Sequence, residues 1–209
     1  MKKIVLLGYF IETYELCKKI GYDILGYVDH HKIVDANCMY LGNDDEFMNK
    51  YSGDKDIYMV MVPDKPSVKK SIYERYHEAG FSFETVISPM ATVSELAEIG
   101  EGCVIHDLCN VSPYVKLGKC TRMNVMANIM HESGVGNYST LAPNSVVLGR
   151  CNIGQQCYIG ANATILPECC IEDSVMVGAG AVVTKSIVKG LTVIGVPARE
   201  IDKVTTSNI

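Results

Sequence analysis

His131 and Glu132 stand side by side in this chain. An imidazole can accept a proton near neutral pH, and an adjacent carboxylate can orient the ring and raise its basicity. The pair makes His131 a candidate general base and Glu132 its partner, although the same spacing also suits a solvated histidine at a turn. The other histidines are His30, His31, His77 and His106. They offer no metal-ligand spacing. No Cys-x-x-Cys pair exists, and Cys169 and Cys170 are adjacent, which suits neither zinc nor an ordinary disulfide. No metal is expected. Gly8, Phe10, Asp29 and His30 form a second candidate group, placed by the order of elements at the ends of strands.

The element that carries His131 is written as a repeat. From Ile87 to Val183 every sixth residue is aliphatic, without a miss, and the residue four later is small or slender, as at Ala127, Ser133, Ser139 and Cys151. Two inward sites per hexad, one large and one small, describe a triangular parallel β-helix, three hexads to a coil. Nearly six such coils stacked at ~4.8 Å give a prism on the order of 25 Å long. Within this frame His131 lies two residues after Ile129, at a corner, and should face outward. Its neighbours one coil away are Pro113 and Gly149, compact enough to leave a groove. Gly follows the aliphatic residue at Gly100, Gly118, Gly136, Gly154, Gly160 and Gly178, where a positive φ is expected. Pro89, Pro113, Pro143 and Pro167 fall one position later, where a missing N–H does no harm.

Residues 1–86 read differently. Apolar runs at 4–8, 22–28 and 56–62 alternate with helical patterns at 11–20 and 65–79, the latter with Pro66 in its first turn. A last strand over 81–87 leads into the repeat. Strand–helix–strand order argues a small Rossmann-like parallel α/β sheet. Ligands of such sheets bind beyond the carboxyl ends of the strands, hence the choice of Gly8, Phe10, Asp29 and His30. No Gly-x-Gly-x-x-Gly fingerprint is present. The domains are therefore 1–86, for an acceptor, and 87–209, the β-helix.

Composition narrows the partners. A net charge of −5 over 209 residues leaves no basic footprint for nucleic acid. The charged and apolar start imitates a signal peptide, but Glu12 ends the apolar run and no cleavage site follows. No stretch reaches the ~20 apolar residues of a membrane span, so a cytoplasmic location is expected. Cys103, Cys109, Cys151, Cys157 and Cys169 all occupy the small inward site, as packing residues.

The segments 128–132, 141–143, 158–161, 177–183 and Gly195-Val196-Pro197-Ala198-Arg199 resemble the hexapeptide-repeat acetyltransferases, in particular the bacterial N-acetyltransferases of nucleotide-linked amino sugars and the sialic acid O-acetyltransferases. The resemblance implies a left-handed helix, which periodicity alone does not give. It implies a homotrimer, acetyl-CoA as cosubstrate along the groove between subunits, and an amino sugar as acceptor for a surface glycan. On its terms His131 is the general base tuned by Glu132, and Ala161, Ala179 and Pro197 match positions near acetyl-CoA. Thr140 stands where many relatives have a second histidine contacting the thioester. The turn at Gly8 lacks the serine of relatives that bind nucleotide sugars and brings in Glu12; Asp29 matches, followed here by His30. O-acetylation of a sialic-acid-like sugar and a non-catalytic trimeric scaffold are the alternatives. A hydratase of the γ-carbonic-anhydrase kind would need three histidines, and the repeat holds two.

Overall fold

The computed structural model describes residues 2–51 and 53–201, so the end of the expected β-helix domain, 202–209, lies outside the described residues. The front layer is a four-stranded parallel sheet of β1 (Lys3–Leu7), β2 (Asp23–Val28), β3 (Ile57–Met61) and β4 (Ser82–Phe83), in the order β2-β1-β3-β4. Helices α1 (Ile11–Ile20), α2 (Asp44–Tyr51) and α3 (Pro66–Glu78) connect them. Gly21 ends α1 in the left-handed region at φ 92°, its N–H bonded to Cys17 O and Lys18 O, a conformation that glycine adopts without a Cβ penalty. Helix α2 was not expected. Its start is marked by a reciprocal cap: Glu46 N–H donates to Asn43 Oδ1 and Asn43 N–H to Glu46 Oε2, both at 3.0 Å.

The strand expected over 81–87 divides in two. Glu84 turns out of the sheet, its carboxylate taking Lys2 Nζ and the Tyr22 hydroxyl, each at 2.8 Å, and β5 (Val86–Ile87) begins the β-helix. From there two-residue strands recur every six residues on three faces. The first face holds Val86–Ile87, Val104–Ile105, Arg122–Met123, Thr140–Leu141, Tyr158–Ile159 and Met176–Val177; the second runs from Thr92–Val93 to Val182–Val183, the third from Glu98–Ile99 to Cys170–Ile171. Each strand pairs in parallel with that eighteen residues on, as Asn128 with Val146. The aliphatic residues and the small inward residues, the five named cysteines included, form one buried column. Each fully buried Ile, Leu or Val contributes about 1.5–3 kcal/mol to it, which is why the left-handed β-helix holds its register.

The corners correct one expectation. Positive φ falls three residues after the aliphatic one, at Leu108, Tyr114, Glu132, Asn144, Arg150 and their equivalents. The glycines directly after the aliphatic residue serve another purpose. A Cβ on Gly136 would lie 2.6 Å from Gly154 C and 2.5 Å from Gln155 N, and one on Gly118 would meet Gly136 C at 2.9 Å. Close stacking of coils, not a left-handed turn, requires glycine there.

The front domain covers the first face. Val86 and Val104, at outward positions, pack with Ile4, Leu6 and Leu16, and Cys120 and Tyr138 pack with Tyr73 and Phe83. No helix among the described residues is long and apolar enough to cross a membrane.

Candidate active site

His131 follows the strand Asn128–Ile129 and sits on the corner joining the second and third faces. The corner is tied to the coils on both sides: Glu132 N–H donates to Pro113 O at 3.1 Å and Arg150 N–H to His131 O at 3.0 Å. Glu132 takes the left-handed position at φ 58°, which turns its side chain back beside the imidazole. His131 Nδ1 lies 3.0 Å from Glu132 Oε2. A carboxylate accepts only, so Nδ1 carries the proton of that bond, and in the neutral imidazole the lone pair is then on Nε2. Both side chains are about half exposed, at 51% and 55%. The imidazole is therefore open to solvent.

Gly149, one coil on, decides how the ring lies. A Cβ built there would be 2.7 Å from His131 Nε2, 2.8 Å from Cε1 and 3.3 Å from Cδ2. Three ring atoms close to one point mean that the imidazole lies across the glycine, and any side chain at 149 would displace it. The compact neighbour was legible in the sequence; its role as the bed of the ring was not.

The other expected residues fall elsewhere. Ala161 and Ala179 stack on the corner between the first and second faces, joined through Gly180 N–H to Ala161 O at 2.8 Å. Ala161 is half-buried and Ala179 exposed. Exposed Pro197 lies in the segment closing the top of the same prism, where Val182 N–H donates to Gly195 O and Ala198 N–H to Val182 O. Thr140 departs from its expected role near the cofactor. It is fully buried under the front domain, its hydroxyl accepting from Lys69 Nζ at 2.7 Å and donating to Asp64 O at 2.6 Å. Its side chain has no surface to offer a ligand.

Gly8, Asp29 and His30 lie close together. With Ser67, Ser71 and Arg75 they line a cavity of about 380 Å³ at the carboxyl ends of the front strands. Gly8, Phe10 and Asp29 also line an adjoining recess of about 280 Å³, completed by Asp64 and Arg122. The two share Gly8, Asp29 and Pro63, so they are arms of one cleft. Arg75, held by Asp44 at 2.8 Å and Asp45 at 2.5 Å, puts a guanidinium in the first arm.

Beneath the cleft lies a polar network that the sequence did not disclose. Arg122, 2% exposed, donates to Val62 O at 3.1 Å, Thr13 Oγ1 at 3.0 Å and Asn124 Oδ1 at 2.8 Å, lies 2.8 Å from Asp64 Oδ1, and has His106 Nε2 at 2.7 Å. Burial, followed by the Arg122 charge, pushes the His106 imidazole down to about 4, which suits it to accept from Arg122 as a neutral ring. Burial and then Arg122 likewise lower the Lys69 amine to about 7. The sequence carried no clear signal of this cover: the outward positions Val86 and Val104 are apolar, but so are Val146 and Val182 on the second face.

These features define a class first. A model of the bacterial transferase hexapeptide (six repeats) matches residues 150–185, and the repeat extends in the structure over the whole β-helix behind an α/β front domain. The resemblance to hexapeptide-repeat acetyltransferases thus holds in repeat and in fold. Particular solved structures share both domains. The acetyltransferase domain of PglB from Neisseria gonorrhoeae has 24% identity and a TM-score of 0.91, covering 96% of this chain and 100% of its own; its complex with acetyl coenzyme A gives 25% and 0.90, covering 96% and 99%. A point mutant of GDP-perosamine N-acetyl transferase from Caulobacter crescentus, in complex with CoA and GDP-perosamine, gives 21% and 0.90, covering 96% and 97%. WeeI from Acinetobacter baumannii gives 24% and 0.79, covering 95% and 99%. No curated protein matches the sequence.

Proposed function

We propose that this protein transfers the acetyl group of acetyl-CoA to the amine of a nucleotide-linked amino sugar used in glycan biosynthesis, with His131 as general base. The observation that carries the reading is the imidazole fixed by Glu132 and bedded on Gly149, on a β-helix whose front domain opens a cleft at the carboxyl ends of its strands. His131 Nε2 removes the proton from the amine nitrogen as it bonds to the thioester carbonyl carbon. The C–S bond then breaks, and the imidazolium can return the proton to the departing sulfur. Positioned base catalysis of this kind contributes ~10²- to 10⁴-fold. Glu132 holds the tautomer that leaves Nε2 free.

The cosubstrate would lie along the corner of Ala161 and Ala179. A Cβ on Gly180 there would meet nothing within 4 Å, so this corner is flat and open to a long, narrow ligand. The acceptor cleft is on the first face, and His131 is on the corner opposite that face. One chain therefore cannot bring its own acceptor to its own base. A neighbouring copy in a homotrimer supplies the missing partner, and threefold closure satisfies the three copies equally. Nine free cysteines fit a reducing compartment, and we place the reaction in the cytoplasm.

Melting the protein with and without acetyl-CoA, UDP and GDP tests the reading. A ligand at a hundred times its Kd adds ~2.7 kcal/mol to the native state, a rise of about 5–10 °C for a chain of this size. Stabilisation by acetyl-CoA and by one nucleotide supports it and names the carrier. Acetyl-CoA alone would point to a free sugar, and no response to any of the three would refute it.

A further inference from the structure

We infer that Asp64 is a specificity-determining residue for the acceptor: its free carboxylate oxygen receives a hydroxyl or amino hydrogen of the sugar. The inference rests on the acceptor reading given above. Asp64 follows β3, in the loop that walls the recess shared with Gly8, Phe10 and Asp29. An aspartate on such a loop is ordinarily free to rotate. This one is held at two points by the β-helix. Its backbone carbonyl accepts from Thr140 Oγ1 at 2.6 Å, and Thr140 is in turn fixed by Lys69. Its Oδ1 lies 2.8 Å from Arg122 Nε and accepts from Asn124 Nδ2 at 3.2 Å.

Arg122 cannot move to release it, because Val62 O, Thr13 and His106 hold the rest of the guanidinium. One oxygen is thereby locked in the wall, while the side chain as a whole stays 51% exposed. Oδ2 has no partner among the described residues. A carboxylate oxygen fixed in direction at the wall of a recess selects a ligand group that donates a hydrogen bond. It also disfavours phosphate at that wall. The diphosphate then belongs in the other arm, with Arg75, Ser67 and Ser71, and the donor-bearing sugar at Asp64.

Asp64→Asn is a sharp probe, because it keeps an oxygen for Arg122 and Asn124 and replaces the pocket-facing oxygen by an NH₂ donor. A hydrogen bond to a charged group, once lost, raises KM on the order of 10- to 100-fold. The wild type is first assayed with acetyl-CoA and a panel of nucleotide-linked amino sugars. With a turned-over acceptor in hand, D64N should raise the acceptor KM at least about tenfold, with the acetyl-CoA KM unchanged. An acceptor KM equal to that of the wild type overturns the inference and leaves a purely structural Asp64, whose loss would show in the melting temperature alone. If D64N fails to fold, Asp64→Ser is read by the same KM comparison. Absence of turnover by the wild type on every acceptor is a different result: it removes the acetyltransfer reading, and this inference with it.

Discussion

Gly149→Ala separates catalysis from folding more cleanly than removal of the base. The added methyl would stand 2.7 Å from His131 Nε2 and 2.8 Å from Cε1, whereas atoms in contact settle near 3.5–4.0 Å. The imidazole must withdraw by about 1 Å. Being half exposed, the ring can do so at little cost to the fold, and Gly149 has no left-handed φ to forbid alanine. Gly→Ala at a compatible position commonly stabilises by ~0.4–1 kcal/mol through the unfolded chain, so the melting temperature should hold or rise slightly. Catalysis should not tolerate the shift. Withdrawal stretches the 3.0 Å bond to Glu132 and carries Nε2 off the line of attack, and a displacement of 1 Å can cost ~10²-fold. Release of the CoA thiol under saturating acceptor measures kcat directly. A fall of about a hundredfold, with the acetyl-CoA KM unchanged, is expected. A G149A enzyme with wild-type kcat would refute the claim that the glycine positions a working base.

Other consequences concern stability. His106 titrates near 4 in the fold against an ordinary 6.5, so between those values the unfolded chain binds more protons and stability falls as pH drops from 6.5 toward 4, by about 3 kcal/mol in all. Acid titrations of urea midpoints should show this loss, and His106→Gln should remove it; an unchanged acid profile would mean that His106 is not held neutral. Gly136→Ala should act oppositely to G149A. Its methyl meets backbone at 2.5 and 2.6 Å, which cannot rotate away, so coil separation should cost ~1–3 kcal/mol and lower the melting temperature by several degrees; an unaltered melt would disprove close stacking at that corner.

The β-helix was open to sequence reading because its core repeats. Each inward site is filled from the same small set of residues, and six-residue periodicity survives even where strands are two residues long. The hand of the helix is carried by no residue pattern and came from resemblance. The corner glycines were placed correctly and explained wrongly, since a contact with the next coil and a positive φ both exclude a side chain and look alike in one dimension. His131 and Glu132 were visible as neighbours in sequence, and their contact needed only a tight corner. Arg122, Asp64 and Lys69 were not visible. They matter through partners some 60 to 109 positions away, such as Thr13 and Val62 for Arg122, and the burial of a charged residue between two domains leaves no local periodic trace. Thr140 was misjudged for the same reason, since its partner Lys69 belongs to the other domain.

The most direct measurement is to mix the purified protein with acetyl-CoA and nucleotide-linked amino sugars and follow the acceptor by mass spectrometry, beside His131→Ala. The wild type should add one acetyl group to the amine of an acceptor, while the variant, melting normally and still stabilised by acetyl-CoA, should turn over at least ~100-fold more slowly. Equal turnover by the two proteins would contradict the assignment of His131 as the base, and acetylation of none of the acceptors by the wild type would contradict the proposed reaction itself.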